Sequence, residues 1–305
     1  MPRGSYGAGR TGRHRPHRNP SGGPRTGAHS APSAVSSAAS RSATSRAGAH
    51  EEASVEPVTE PSAPVVGRET SLSRAMAAVT VPSGALVSAA VLELDSGESA
   101  VYGDAAFDTA SIVKVDILAA LLLQARDAGR RLTTAEKAYA TRMIEVSDND
   151  CATRLWHTIG RAAGLDAANE RFGLTGTSGG SGELWGLTQT TAADQLVVLR
   201  QVFGERSELS TASRAYVRDL MTGVRADQAW GVSAAADGSS CALKNGWLAR
   251  GTTGLWDVNS VGRVTVGASG YLVAVLSKGT VSRARGVTLV EAAARAAVRG
   301  FRAGV

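Results

Sequence analysis

The sequence has little of what several common chemistries require. It holds only two cysteines, Cys151 and Cys241, 90 positions apart, which fits neither a CxxC redox pair nor a metal knuckle. They read as free thiols, or as a disulfide if the chain meets an oxidising compartment. Four of the five histidines (His14, His17, His29, His50) lie before residue 65, which leaves His157 alone in the rest of the chain. A cluster of imidazole zinc ligands is thereby excluded, and a Ser-His-Asp triad has one candidate base. No motif surrounds His157, so it reads as a satisfied surface or core histidine. No metal or other cofactor is expected. Long apolar runs are also missing: the longest, Ile117 to Leu123, falls far short of the roughly 20 residues of a membrane helix.

What is present divides the chain in two. Residues 1–50 carry eight arginines and no acid, and eight of the nine prolines precede residue 65. Such a composition cannot bury a core, so residues 1–66 are expected to form a disordered Arg/Pro/Ser/Gly-rich tail, a solvated linker or an arm for polyanions. The formal charge of +6 belongs to this tail; residues 51–305 hold 25 bases against 27 acids and give no reason to expect nucleic acid. Nothing before residue 84 supplies the apolar stretch of a secretory signal, so the residues by themselves point to a cytoplasmic protein or to export by a route or from a start site not visible here.

Residues 67–305 are long enough for one large domain. The apolar pattern predicts a helix over 70–79 and strands over 85–94 and 100–102. Helices follow over 111–127, 133–146, 148–160, 165–172, 191–203 and 211–221. Strands over 240–246, 254–264 and 271–276 and a helix over 284–303 complete the chain. This order implies an α+β fold: an antiparallel sheet built from both chain ends, flanked by helices, with an all-helical lobe inserted. A cleft is expected at the seam.

Lysine is scarce, with four against 29 arginines (Lys114, Lys137, Lys244, Lys278). Guanidinium is always protonated, whereas a desolvated amine can lose its proton and act as a base near neutrality. Lys114 follows Ser111 by three residues, which puts hydroxyl and amine on one face if a helix begins there. Ser147-Asp148-Asn149 lies 36 residues beyond Ser111, and Lys244-Asn245-Gly246 another 97 beyond Ser147.

Ser-x-x-Lys, Ser-Asp-Asn and Lys-(Thr/Ser)-Gly in this order resemble the motif set of class A β-lactamases and penicillin-binding proteins. Phe107, the Thr190-Thr191-Ala192 run and the strands after Lys244 sit where that superfamily has similar features. The resemblance implies a serine hydrolase that opens an amide through an acyl-Ser111 intermediate. Lys114 would take the Ser111 proton directly or through water, and Ser147 would relay one to the leaving nitrogen. Asn149 would hold the substrate, Asp148 would be structural, and Lys244 would add positive potential. The N–H groups of Ser111 and Trp247 would form the oxyanion hole.

Three departures stand out. Asn245 replaces a hydroxyl residue, and its amide is expected to take over binding of the substrate carboxylate. Trp247 is bulky where the family is small, and is expected to narrow the cleft beside Gly246 or to change the preferred substrate. The loop 173–189 contains a single carboxylate, Glu183, which is either a deacylating base or an exposed loop residue, and Leu187 stands where an asparagine would follow. The rival readings are a D-alanyl-D-alanine carboxypeptidase-like, penicillin-binding enzyme and a catalytically degenerate binding protein. The expected partner is a small β-lactam or a peptidoglycan-like peptide, acted on by a monomer. Extracytoplasmic location is what the resemblance implies.

Overall fold

The computed structural model describes residues 66–238 and 241–304. The expected tail, residues 1–66, lies outside this range except for residue 66. Helix α1 (Val66–Ala77) leads into the hairpin β1 (Leu86–Glu93) and β2 (Ser99–Tyr102) and the two-residue strand β3 (Phe107–Asp108). The helical segment comprises α2 (Val113–Asp127), α3 (Thr134–Glu145), α4 (Asn149–Ile159) and α5 (Arg161–Phe172), the short strand β4 (Gln189–Thr190), then α6 (Ala192–Phe203) and α7 (Thr211–Thr222). Strands β5 (Ala242–Ala249), β6 (Trp256–Val266) and β7 (Ser269–Thr280) and helix α8 (Arg283–Arg302) close the chain.

The main sheet has the order β2-β1-β7-β6-β5 and is antiparallel throughout, so strands from both chain ends meet at the β1–β7 pair and β5 lies on the edge. Period-2 alternation gives each strand two apolar faces. Val91, Val273, Val275 and Leu243 pack with α1 and α8, while Ala90, Leu92, Leu272, Ala274 and Leu276 pack against the helical lobe. The sheet is therefore a middle layer with a core on each side.

Local chemistry explains the helix boundaries. Thr133 and Glu136 form a capping box on α3, and the Asp148 carboxylate accepts the Cys151 N–H to cap α4. Gly160 ends α4 at φ 92°, in the left-handed region that glycine enters without penalty. Helix α5 starts four residues earlier than the periodicity suggests. Gly164 lets its first turn close onto the end of α4, where a Cβ would lie 1.6 Å from the Ile159 carbonyl oxygen.

Helix α2 is the axis of the lobe. Its apolar side chains are buried almost all the way round, which requires cover on every side. Helices α4, α5 and α6 provide that cover. A rigid, enclosed α2 fixes the residues at its N-terminus, where the site lies.

Candidate active site

Ser111 sits in a 3₁₀ turn, Ala110–Ile112, directly ahead of α2. Ala110 adopts φ 48° and Ser147 φ 57°, a left-handed conformation that costs an L-residue about 1–2 kcal/mol. Ala110 immediately precedes Ser111, so both positions lie at the two hydroxyls, and backbone strain of this kind clusters at functional sites. Ser147 is held by the elements on either side: the Asp148 N–H donates to the Arg142 carbonyl at 3.1 Å, and the Asp148 carboxylate caps α4 and pairs with Arg142. These contacts hold the Asp148 pKa at about 2, through the Cys151 N–H first and Arg142 next.

Lys114, fully buried, stands at the centre. Its Nζ lies 2.9 Å from Ser111 Oγ, 3.0 Å from Ser147 Oγ, 2.8 Å from the Ser147 carbonyl and 2.7 Å from Asn149 Oδ1. On the far side of Ser147, Lys244 Nζ reaches Ser147 Oγ at 3.0 Å and its own neighbour's carbonyl, Asn245 O, at 2.9 Å. Two hydroxyls and two amines thus form one chain of contacts, Ser111–Lys114–Ser147–Lys244. Burial lowers the Lys114 pKa to about 7, against the opposing pull of the Asp148 charge. Burial also pushes Lys244 well down, and the neighbouring Lys114 cation adds to this. Lys114 can therefore part with a proton near neutrality.

The edge strand supplies the other wall. The Asn245 carbonyl accepts from Lys244 Nζ at 2.9 Å, and strand parity points the N–H of Trp247, two residues further along the edge strand β5, to the same side as that carbonyl. At Gly246 a Cβ would lie 2.6 Å from Ser111 N and 2.7 Å from Thr109 O. Only glycine lets β5 approach the turn carrying Ser111. The Asn259 amide fastens the other side of that turn by donating to the carbonyls of Asp108 and Thr109 at 2.8 and 3.1 Å.

Several sequence expectations are revised by these positions. The Asn245 amide does not face a ligand: both N–H groups are spent on the carbonyls of Gln228 and Trp230, at 2.7 and 2.9 Å, and the side chain is buried. It therefore cannot replace the hydroxyl as a carboxylate donor. The Trp247 ring does not narrow the cleft on the Lys244 side. It points to the α8 face of the sheet, with Arg283 stacked 3.9 Å from its centroid and Trp230 at 5.8 Å. Gly246 contributes close approach to the turn carrying Ser111. Asn149 gives its Oδ1 to Lys114, so only its Nδ2 remains to meet a substrate.

Glu183 is exposed, and its carboxylate is engaged by His157 at 2.5 Å and Arg161 at 2.9 Å, which lower its pKa. A carboxylate so engaged is a weak base. His157 thereby gains a definite partner on the loop. Cys151 and Cys241 are both free thiols.

One residue at the site has no counterpart among the sequence expectations. Trp185, in a 3₁₀ turn of the same loop, places its ring centroid 4.9 Å from Lys114 Nζ. The only hint of it in the sequence is a tryptophan in a loop otherwise rich in glycine.

The comparisons with known proteins agree with this architecture. The family model described as the beta-lactamase enzyme family matches residues 134–301, more than half of the chain. No curated protein matches. Among solved structures, a variant of PBP-A in an acyl-enzyme complex with penicillin G is similar at 22% identity and TM-score 0.65, covering 76% of this chain and 96% of that one. The TLA-1 extended-spectrum β-lactamase is similar at 14% identity and TM-score 0.67, covering 77% and 98%. A class A β-lactamase from Bacteroides cellulosilyticus is similar at 15% identity and TM-score 0.64, covering 78% and 98%. At such identities the likeness concerns the fold, and the family match adds membership: this chain belongs to the beta-lactamase enzyme family and has the fold of its class A-like serine hydrolases.

Proposed function

We propose that the chain is an acylating serine enzyme in which Ser111 attacks the carbonyl of a β-lactam or a related peptide amide. The observation that carries this reading is the single amine, Lys114, within hydrogen-bond reach of both Ser111 Oγ and Ser147 Oγ and titrating at about pH 7. The neutral amine takes the Ser111 proton as Oγ bonds to the carbonyl carbon. The oxyanion falls to the N–H groups of Ser111 and Trp247, at the start of α2 and on the open edge of β5. When the carbon–nitrogen bond breaks, the leaving nitrogen takes the hydroxyl proton of Ser147, which regains one from the Lys114 ammonium. Lys244 holds positive potential beside Ser147 for an anionic substrate, whose charge in turn favours the protonated amine.

For release of the acyl group, the penicillin-binding reading has the stronger support. The single carboxylate of the loop, Glu183, is turned to His157 and Arg161 and is a poor base for water. The PBP-A variant of similar fold forms an acyl-enzyme complex with penicillin G, a behaviour proposed here for this chain as well.

Intact-protein mass spectrometry after incubation with penicillin G tests the reading. The expected result is an adduct of one penicillin on the natural chain and none on Ser111→Ala. An adduct of equal yield on Ser111→Ala overturns it. Slow or absent nitrocefin turnover alongside the adduct supports penicillin-binding behaviour over rapid hydrolysis.

A further inference from the structure

The loop between α5 and β4 is fastened to the lobe at several points. The Trp156 indole N–H donates to the Gly182 carbonyl at 2.8 Å, and the Gly179 N–H donates to Asp166 at 2.7 Å. The Thr109 N–H, two residues before Ser111, donates to the Thr188 carbonyl at 2.9 Å. Within the loop, the Trp185 indole N–H donates to Thr153 Oγ1 on α4 at 3.1 Å, which fixes the ring over Lys114.

This arrangement fills the surroundings of the amine. Four oxygens lie within 3.0 Å of Lys114 Nζ, and the Trp185 ring covers a further side. Hydrolysis of an acyl-Ser111 ester needs a water whose oxygen bonds to the ester carbon. Its proton must go to a base and from there to Ser111 Oγ as the carbon–oxygen bond breaks. With Glu183 engaged by His157 and Arg161, the base beside Ser111 is Lys114, at 2.9 Å. A water delivered through Lys114 must displace one of the oxygens or the indole. Displacing the indole breaks its bond to Thr153 Oγ1 at 3.1 Å, which favours keeping it in place.

We propose that Trp185 is a positioning residue that shields the acyl-Ser111 ester from water by holding its indole over Lys114, so that the acyl-enzyme persists. This rests on the acyl-Ser111 reading and extends it to the fate of the intermediate. The shield also assists acylation, because a covered amine is a less hydrated one. The same residue therefore speeds formation of the adduct and slows its loss.

The test follows the penicillin G adduct on the full chain by mass spectrometry after removal of excess drug. Natural protein is compared with Trp185→Ala, Trp185→Phe and Thr153→Val. The expected result is adduct loss at least about tenfold faster in Trp185→Ala, where water reaches the amine. Trp185→Phe, which keeps a ring without the Thr153 tether, and Thr153→Val, which keeps the ring but removes its acceptor, are expected to fall between. In Trp185→Ala the pH profile of acylation should shift upward, as a hydrated Lys114 holds its proton more firmly. A purely structural role would lower the fraction of protein that reacts and leave the decay of formed adduct unchanged. Equal decay in all four proteins overturns the shield while leaving Ser111 acylation standing. Absence of any adduct on the natural chain overturns both. If Trp185→Ala does not fold, decay in Thr153→Val decides.

Discussion

Replacing Lys114 by arginine keeps a cation beside Ser111 and removes the one property the proposed chemistry uses, the loss of a proton near neutrality. Guanidinium does not deprotonate in proteins, and its planar fork does not fit a pocket of four oxygens arranged around a point charge. Acylation of Lys114→Arg by penicillin G is expected to fall by at least about 10²-fold, the lower end of what a general base contributes. The natural chain should show the complementary pH dependence. Burial lowers the Lys114 pKa to about 7, so below that pH the amine carries its proton and cannot accept another, and above it the neutral form prevails. The second-order acylation rate should therefore rise with pH through about 7 and level off. A profile flat from pH 5 to 9 would assign the base to some other group.

The approach of β5 to the turn before α2 rests on Gly246. In Gly246→Ala the new methyl would meet Ser111 N at 2.6 Å, Thr109 O at 2.7 Å and Ile112 N at 2.8 Å, all backbone atoms that cannot rotate aside. The strand must retreat, the Trp247 N–H leaves the oxyanion position, and acylation should slow by about 10²- to 10³-fold. Stopped-flow acylation with far-UV dichroism of the same sample checks this; an unchanged rate in a folded variant would remove β5 from the proposed oxyanion hole. These elements differ in how far the sequence discloses them. The helices and main strands are legible because apolar spacing and caps such as Thr133 with Glu136 or Asp148 are local signals. The convergence of Ser111, Lys114, Ser147 and Lys244 is legible through motif order. The β3–β4 ribbon, two residues on each strand, is too short to leave a pattern. The orientations of Asn245 and Trp247 escape the sequence because period-2 alternation says that neighbours face opposite ways but not which face carries the lobe. Trp185 over Lys114 depends on a loop fastened by contacts far apart in sequence, which no window of residues contains.

At the scale of the folded unit, the enclosure that fixes the site imposes a cost that depends on pH. Helix α2 is buried almost all the way round, and one of its two acids, Asp116, two residues beyond Lys114, is 1% exposed. Its carboxylate accepts from the Gln195 amide at 3.3 Å, while among the described residues Asp116 Oδ2 and Gln195 Oε1 are buried without a partner. Burial raises the Asp116 pKa to about 7, the Gln195 hydrogen bond opposes the shift, and the Asp194 charge adds to it. Between about pH 4 and pH 7 the folded chain thus holds a proton that the unfolded chain has released. Stability must therefore fall as pH rises across this window, with the full penalty present above about 7. Asp116→Asn keeps an oxygen for Gln195, removes the charge and is expected to lift the penalty, a gain of roughly 2–4 kcal/mol at pH 8 that disappears near pH 4. Urea unfolding of both proteins at pH 4, 6 and 8 measures it. A difference that does not grow with pH would mean that Asp116 is not the group whose burial the fold tolerates in order to hold Ser111 and Lys114 rigid.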